Sequence, residues 1–232
     1  MRESDDVLAP EESDNNASIA ASVNEALLEE QDRTGKPALR IYEPDTLSIV
    51  LGAGGHLETD VYVERAQLDR IPVLRRRGGG GTVLLAPGQL VFAVVAEVGS
   101  TYRNREHLCT INSWITKALT QSGVTGVEPR GTCDLAIGSR KVLGASLFRR
   151  RSILFYQSSL LVCCDLSLFS RYLRHPIREP DYRAKRAHGS FCTTIADQGY
   201  SISPQEIGRA LQLIVEENTS SPGIGIPSCF QK

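Results

Sequence analysis

Two stretches of this sequence hold residues whose types and spacing suit chemistry. The first is Arg75-Arg76-Arg77 followed by Gly78-Gly79-Gly80-Gly81-Thr82-Val83. Consecutive glycines present backbone N–H groups with no side chain in the way, so such a loop can wrap phosphate or carboxylate oxygens. Guanidinium forks beside it suit the same oxygens. It is not a P-loop, because no Gly-Lys-Ser/Thr follows, and the next residues read as a strand where a dinucleotide fingerprint needs a helix. A hairpin tip with solvated arginines has the same composition, so that reading stays open. The second stretch is Arg130 to Arg149. Asp134 opens a short strand, Gly138-Ser139 turns the chain, and Lys141 enters the next strand beside Gly144 and Ala145, whose small side chains leave room for a ligand. A lysine so placed holds a bound carbonyl or phosphate, or lends its proton once desolvated. The alternative is an edge-strand lysine kept for solubility.

The elements that must position these residues mix helix and strand. Ile19, Val23 and Leu27 mark an amphipathic helix that Gly35 can end, followed by strands at 38–44 and 47–52 around a Glu-Pro-Asp turn. A helix is expected over Val61 to Leu68 and a strand over Ile71 to Leu74. The runs 82–86 and 89–98, joined by Pro87-Gly88, read as a buried β-hairpin. Leu108, Ile111, Ile115 and Leu119 line one face of a helix that stops at Gly123. From Cys133 to Cys164 the pattern is an antiparallel meander, with both Cys163 and Cys164 expected in the core. Asp165 caps a helix carrying Leu166, Phe169 and Leu173, and Ser203-Pro204-Gln205-Glu206 is a capping box for the last helix. The loop His175 to His188, with six basic side chains, is a candidate lid or a dock for an acidic partner.

Composition removes several classes. Lys and Arg total 26 against 27 Asp and Glu, a formal charge of −1, so no global basic excess serves sequence-independent nucleic-acid binding. No apolar run approaches membrane-spanning length. The start, residues 1–16, is acidic and unlike a signal or transit peptide, so it is read as a disordered tail and the chain as cytoplasmic, with reduced thiols. The domain reading is 1–16 tail, 17–220 one catalytic domain and 221–232 a second tail. The cysteines and histidines show no zinc spacing.

The two stretches together resemble the lipoate-protein ligase and octanoyltransferase catalytic domain, itself similar to biotin-protein ligases. The family's arginine pair, glycine run and small-Val pair match Arg75 to Val83, and its Gly-x-Asn-Asp-Leu followed by Lys-x-x-Gly looks like Gly131 to Leu135 and Lys141 to Gly144. The flanking segments agree over roughly residues 17 to 215. The resemblance implies an α+β fold, a mixed and largely antiparallel sheet packed with helices. It implies ATP and Mg2+ as cofactors, lipoate or octanoate as substrate, and an acyl-adenylate passed to a lysine of a lipoyl-domain protein, such as a glycine-cleavage H-like protein or a dehydrogenase E2 subunit.

By the same resemblance Arg75, Arg76, Gly79, Gly80, Gly81, Thr82, Val83, Gly144 and Ala145 lie against the adenylate or its precursor. Lys141 contacts the acyl carbonyl and phosphate, and Asp134 partners magnesium or the incoming amine. Such ligases often carry an accessory domain, for which a separate subunit is the alternative. The runner-up activity is octanoyl transfer from a carrier thioester with Cys133 as nucleophile, and a small semi-buried Cys133 with no catalytic role is equally compatible with the sequence. A non-catalytic binder is the third reading. The sequence departs from the family at Leu84 and Leu85, where a histidine is common, and at Gln157-Ser158, where the family has His-Gly. The first departure predicts a more apolar pocket wall.

Overall fold

The computed structural model describes residues 19–99 and 103–219, so the expected tails and Cys229 lie outside the described residues. The N-terminal helix α1 (Ala26–Thr34) follows a short 3-10 turn at Val23–Glu25 and ends at Gly35, whose φ of 65° closes the last turn. It starts later than the periodicity predicts. Residues 20–22 run instead as an extended arm, with Ser22 N–H donating to Arg75 O at 2.7 Å and Arg75 N–H to Ala20 O at 2.9 Å.

Nine strands follow among the described residues, β1 (Ala38–Tyr42), β2 (Ser48–Leu51), β3 (Val73–Arg75), β4 (Val83–Leu85), β5 (Gln89–Glu97), β6 (Val127–Arg130), β7 (Asp134–Ile137), β8 (Arg140–Arg150) and β9 (Ile153–Leu161). Six of them form an antiparallel sheet in the order β1-β5-β9-β8-β7-β6, so the expected meander is there with β6 added at its edge. The other three form a small mixed sheet, β3-β2-β4, with β2 parallel to β3 and antiparallel to β4.

The hairpin expected at 82–98 is absent. β4 belongs to the small sheet and β5 to the large one, and β5 is buried along eight of its nine residues, so its continuous apolar run reports burial on two faces rather than a partner across a turn. The crossing point is Pro87-Gly88. Gly88 has φ 82°, donates to Glu43 Oε1 at 2.7 Å and accepts from Val162 and Cys163 N–H. A Cβ there would sit 2.7 Å from Cys164 N.

The helix expected at 61–68 is α3 (Val63–Leu68), which starts two residues later because Val61 bridges Leu173, and a further short helix, α2 (Leu57–Asp60), precedes it. Helices α4 (Asn104–Gln121) and α7 (Pro204–Thr219) pack together on one face of the large sheet, over Phe92, Leu143, Tyr156 and Leu160. The capping box forms at α7, with Ser203 N–H on Glu206 Oε2 at 2.9 Å. The opposite face packs on α1 through Ala93, Val95 and Phe155. The small sheet buries Ile49, Leu51 and Leu84 against α3 and α5 (Ser167–Tyr172). Asp165 caps α5 through Ser167 N–H at 2.9 Å, and a last short helix, α6 (His188–Phe191), follows the basic loop. Cys164 is buried as expected, but Cys163 is exposed beyond the end of β9.

Candidate active site

The site forms where the glycine loop meets β7 and β8. Along a regular strand, residues three apart point to opposite faces. Between β7 and β8 the register shifts, Lys141 facing Ala136 while Leu143 faces Leu135, and this bulge changes the phase of the strand. Lys141 therefore folds over the face of Gly144, where an added Cβ would lie 2.8 Å from Nζ and 2.9 Å from Cε. Gly144 makes room for the lysine. Ala145 looks the other way, into the core under α4, and its carbonyl accepts the Cys133 thiol at 3.0 Å.

Lys141 Nζ pairs with Asp134 Oδ1 at 2.7 Å, with the lysine side chain 25% exposed and the aspartate 9%. The other carboxylate oxygen accepts the Tyr182 hydroxyl at 2.7 Å. Nothing in the sequence reading pointed to Tyr182, since it stands in a loop with no motif around it. Its ring packs on Phe191 at 5.1 Å and lies 3.4 Å from where a Cβ of Gly131 would be. Burial, then the Asp134 charge, drives its hydroxyl far above the ordinary tyrosine range, so it stays a proton donor.

The three arginines divide their work. Arg76 is buried beneath the loop, with Nη1 on Val50 O at 3.1 Å and Nη2 on Gly79 O at 2.9 Å and Gly81 O at 2.7 Å. Burial pulls its guanidinium down to about 10, which leaves it charged at neutral pH. Arg75 reaches the neighbouring turn, donating to Gly52 O at 3.1 Å and Gly55 O at 3.0 Å. Both side chains hold backbone carbonyls in place. Arg77 is the exposed one, its Nε 3.3 Å from the buried carboxylate of Glu25, which also takes Arg77 N–H at 3.0 Å.

The loop itself is tight at one end and open at the other. A Cβ on Gly78 would meet Ser146 Oγ at 2.7 Å, so the loop rests on β8 on the same face as Gly144. Gly80 has φ 90°, whereas Gly79 and Gly81 have nothing within 4 Å of a built Cβ. Thr82 Oγ donates to Asp60 Oδ2 at 2.6 Å, and Val83 packs with Val50 and Leu85 between the sheets. Leu84 is sealed in the small-sheet core rather than lining a pocket wall, which overturns the expectation drawn from its place in the motif. Gln157 is buried, bonded to Asn24 at 3.3 Å.

Cys133 adjoins this pair, but burial and the Asp134 charge push its thiol up, with Lys141 opposing only in part. The basic loop turns several of its cations inward. Arg183 is buried over the Phe191 ring at 4.8 Å, and Arg186 donates to Ser139 O and Tyr182 O, each at 2.8 Å. Burial takes His188 down to about 4, so it carries no charge at pH 7. Asp134 is the carboxylate at hand for a cation, both its oxygens are engaged, and no group of three His, Cys, Asp or Glu suited to a metal occurs among the described residues. Two surface grooves lie elsewhere, between α3 and α5 and between α7 and β1.

An antiparallel sheet here sets a lysine–carboxylate pair against a side-chain-free loop, an arrangement with the donors to receive an anionic group. The chain belongs to the lipoyl protein ligase A/B catalytic domain family, whose model matches residues 16–214. It is 25% identical over 179 residues to the lipoate-protein ligase A subunit 1 of Thermoplasma acidophilum, covering 71% of this chain and 66% of that one. It is 30% identical over 141 residues to an octanoyltransferase of Syntrophotalea carbinolica, covering 57% of this chain and 63% of that one. The chain thus spans between 55 and 66% of the length of the curated relatives it matches first. The same fold occurs in a bipartite lipoate protein ligase of T. acidophilum, solved with its E2 lipoyl domain, at TM-score 0.70 and 23% identity over 85% of this chain and 79% of that one. A lipoate-protein ligase A bound with ATP is alike to the same degree, at TM-score 0.70 and 23% identity over 84% of this chain and 77% of that one.

Proposed function

We propose that this chain is the catalytic unit of an ATP-dependent lipoate-protein ligase. The observation that carries the reading is the Lys141–Asp134 pair at 2.7 Å, beside a glycine loop whose Gly79 and Gly81 leave open space for a ligand backbone or phosphate to approach. In the first half-reaction the carboxylate of lipoate or octanoate attacks the α-phosphorus of ATP and pyrophosphate leaves. In the second, a neutral lysine amine of the acceptor attacks the acyl carbonyl, AMP leaves, and the amine loses its proton. Lys141 supplies positive charge to the acyl carbonyl and phosphate oxygens in both, and loop N–H groups add donors that need no reorganisation. The charge of Arg76 lies just under those N–H groups.

When bound, magnesium would offset phosphate charge. Asp134 is the protein group that would face it, and the nucleotide's own oxygens would supply most of its ligands. The name of the T. acidophilum relative, a subunit 1, supports a separate accessory subunit, and the E2 lipoyl domain solved with its fold neighbour supports that acceptor class.

The octanoyltransferase reading needs an activated thiol, and Cys133 is held protonated on Ala145 O, which weighs for the ligase. Intact-mass measurement decides between them. A lipoyl domain incubated with this chain, Mg-ATP and lipoate gains the lipoyl mass in the ligase reading, and the gain survives Cys133→Ala. A gain from an octanoyl-carrier thioester alone, lost in Cys133→Ala, would overturn it.

A further inference from the structure

We propose that Tyr182 is a positioning residue and the latch that ties the His175–His188 loop to the carboxylate orienting Lys141. Its kinetic half rests on the ligase reading above; its structural half does not. An ionised carboxylate only accepts hydrogen bonds. Asp134 gives Oδ1 to Lys141 Nζ and Oδ2 to the Tyr182 hydroxyl, each at 2.7 Å, so the tyrosine blocks the rotation that would clamp both oxygens on the lysine. The ring is fixed from two sides, by Phe191 at 5.1 Å and by Gly131, where a built Cβ would lie at contact distance, 3.4 Å from the ring edge.

The loop beyond the tyrosine is under strain. Ala184 and Lys185 both adopt left-handed backbone, with φ 51° and 58°, a conformation costly for residues with a Cβ. They are held by Lys185 N–H on Glu179 Oε1 at 2.7 Å, by Arg183 Nε near the same carboxylate at 3.3 Å, by Arg186 on Ser139 O and Tyr182 O at 2.8 Å each, and by the Tyr182 bond to Asp134. Of these ties the Tyr182 hydroxyl is the one that reaches Asp134, so opening of the loop at Tyr182 releases Asp134 Oδ2. Once the hydroxyl leaves, that oxygen is available to accept an N–H of the incoming amine. The loop thus reads whether the pair is ready for transfer.

The test uses the full chain and compares wild type, Tyr182→Phe, Asp134→Ala and the double variant. The first readout is the rate of tryptic cleavage between Arg178 and Arg186, which follows local opening. Loss of one hydrogen bond to a charged acceptor should speed cleavage about tenfold in either single variant, with no further gain in the double. A wild-type rate in Tyr182→Phe, or multiplicative effects in the double, would overturn the latch. Asp134→Ala cuts the same bond from the other side, so the cycle stands if one variant folds poorly by thermal melting.

The second readout is steady-state lipoylation. Tyr182→Phe is expected to lower kcat about tenfold while KM for ATP and for lipoate stay within about twofold, because orientation is lost and binding is not. A raised KM at unchanged kcat would make Tyr182 a pocket wall and overturn the positioning role. If the wild-type chain lipoylates nothing, the ligase reading falls while the cleavage rates still decide the latch.

Discussion

The glycine loop and the β7–β8 hairpin meet at one site and are built in opposite ways. In the proposed reading the loop works through backbone, with Arg76 buried beneath it on Gly79 and Gly81 carbonyls, Arg75 holding the neighbouring turn and Arg77 exposed. The hairpin works through side chains, and its backbone irregularity exists to aim one of them, Lys141, over a glycine. One half of the site requires that atoms be missing, and the other requires that a strand be out of phase. Both requirements surface in sequence as glycine, for different reasons.

Substitutions can break that contrast. Removing the working side chain has the largest expected effect: Lys141→Ala should cut acyl transfer about a hundred- to a thousandfold, measured as lipoyl-domain mass gain per minute. Gly144→Val should come next, at about a hundredfold, because a Cβ 2.8 Å from Nζ must displace the lysine. A Gly144→Val variant with near wild-type rates would sink the account of why that glycine is there. On the loop side, Arg76→Met strips three carbonyls of their donor and should cost about 2 kcal/mol in chemical denaturation, with the loop loosened first. Gly79→Ala meets no protein atom, so stability should hold within about 0.5 kcal/mol while activity falls about tenfold, the added methyl intruding on the ligand alone. Smallest of all, Cys133→Ser should change lipoylation by no more than about threefold, since its protonated thiol has no assigned step in the ligase mechanism.

The motifs at Arg75–Val83 and Gly131–Gly144 were legible because glycine runs and a lysine entering an apolar strand are local signals. The mixture of helix and strand was legible for the same reason, from the periodicity of α4 and the alternation of the meander, while the α+β class itself came with the family resemblance. What escaped the sequence depends on burial and on distant neighbours. An arginine reads as exposed until a loop is wrapped around it, so Arg76 and Arg75 looked like ligand-binding cations. β4 and β5 looked like hairpin partners because nothing local distinguishes a turn from a passage between two sheets. Ala145 packs toward the core under α4, and Leu84, expected in a pocket wall, is sealed in the small-sheet core, packing that the strand phase decides and the motif does not show. Tyr182 stood inside the loop read as a lid or dock, but nothing local singled it out, since its partner lies 48 residues away.

The crossing at Pro87-Gly88 has a further consequence, for stiffness. Gly88 is bonded on both sides to the end of β9 and to Glu43, and its neighbourhood has no space for even a methyl group. The two sheets are thus riveted where the chain changes from one to the other, and cannot hinge apart to admit a substrate. Entry has to come from the loops at the rim, and a relaxation-dispersion experiment should find millisecond exchange there, with β4, Gly88 and β5 silent.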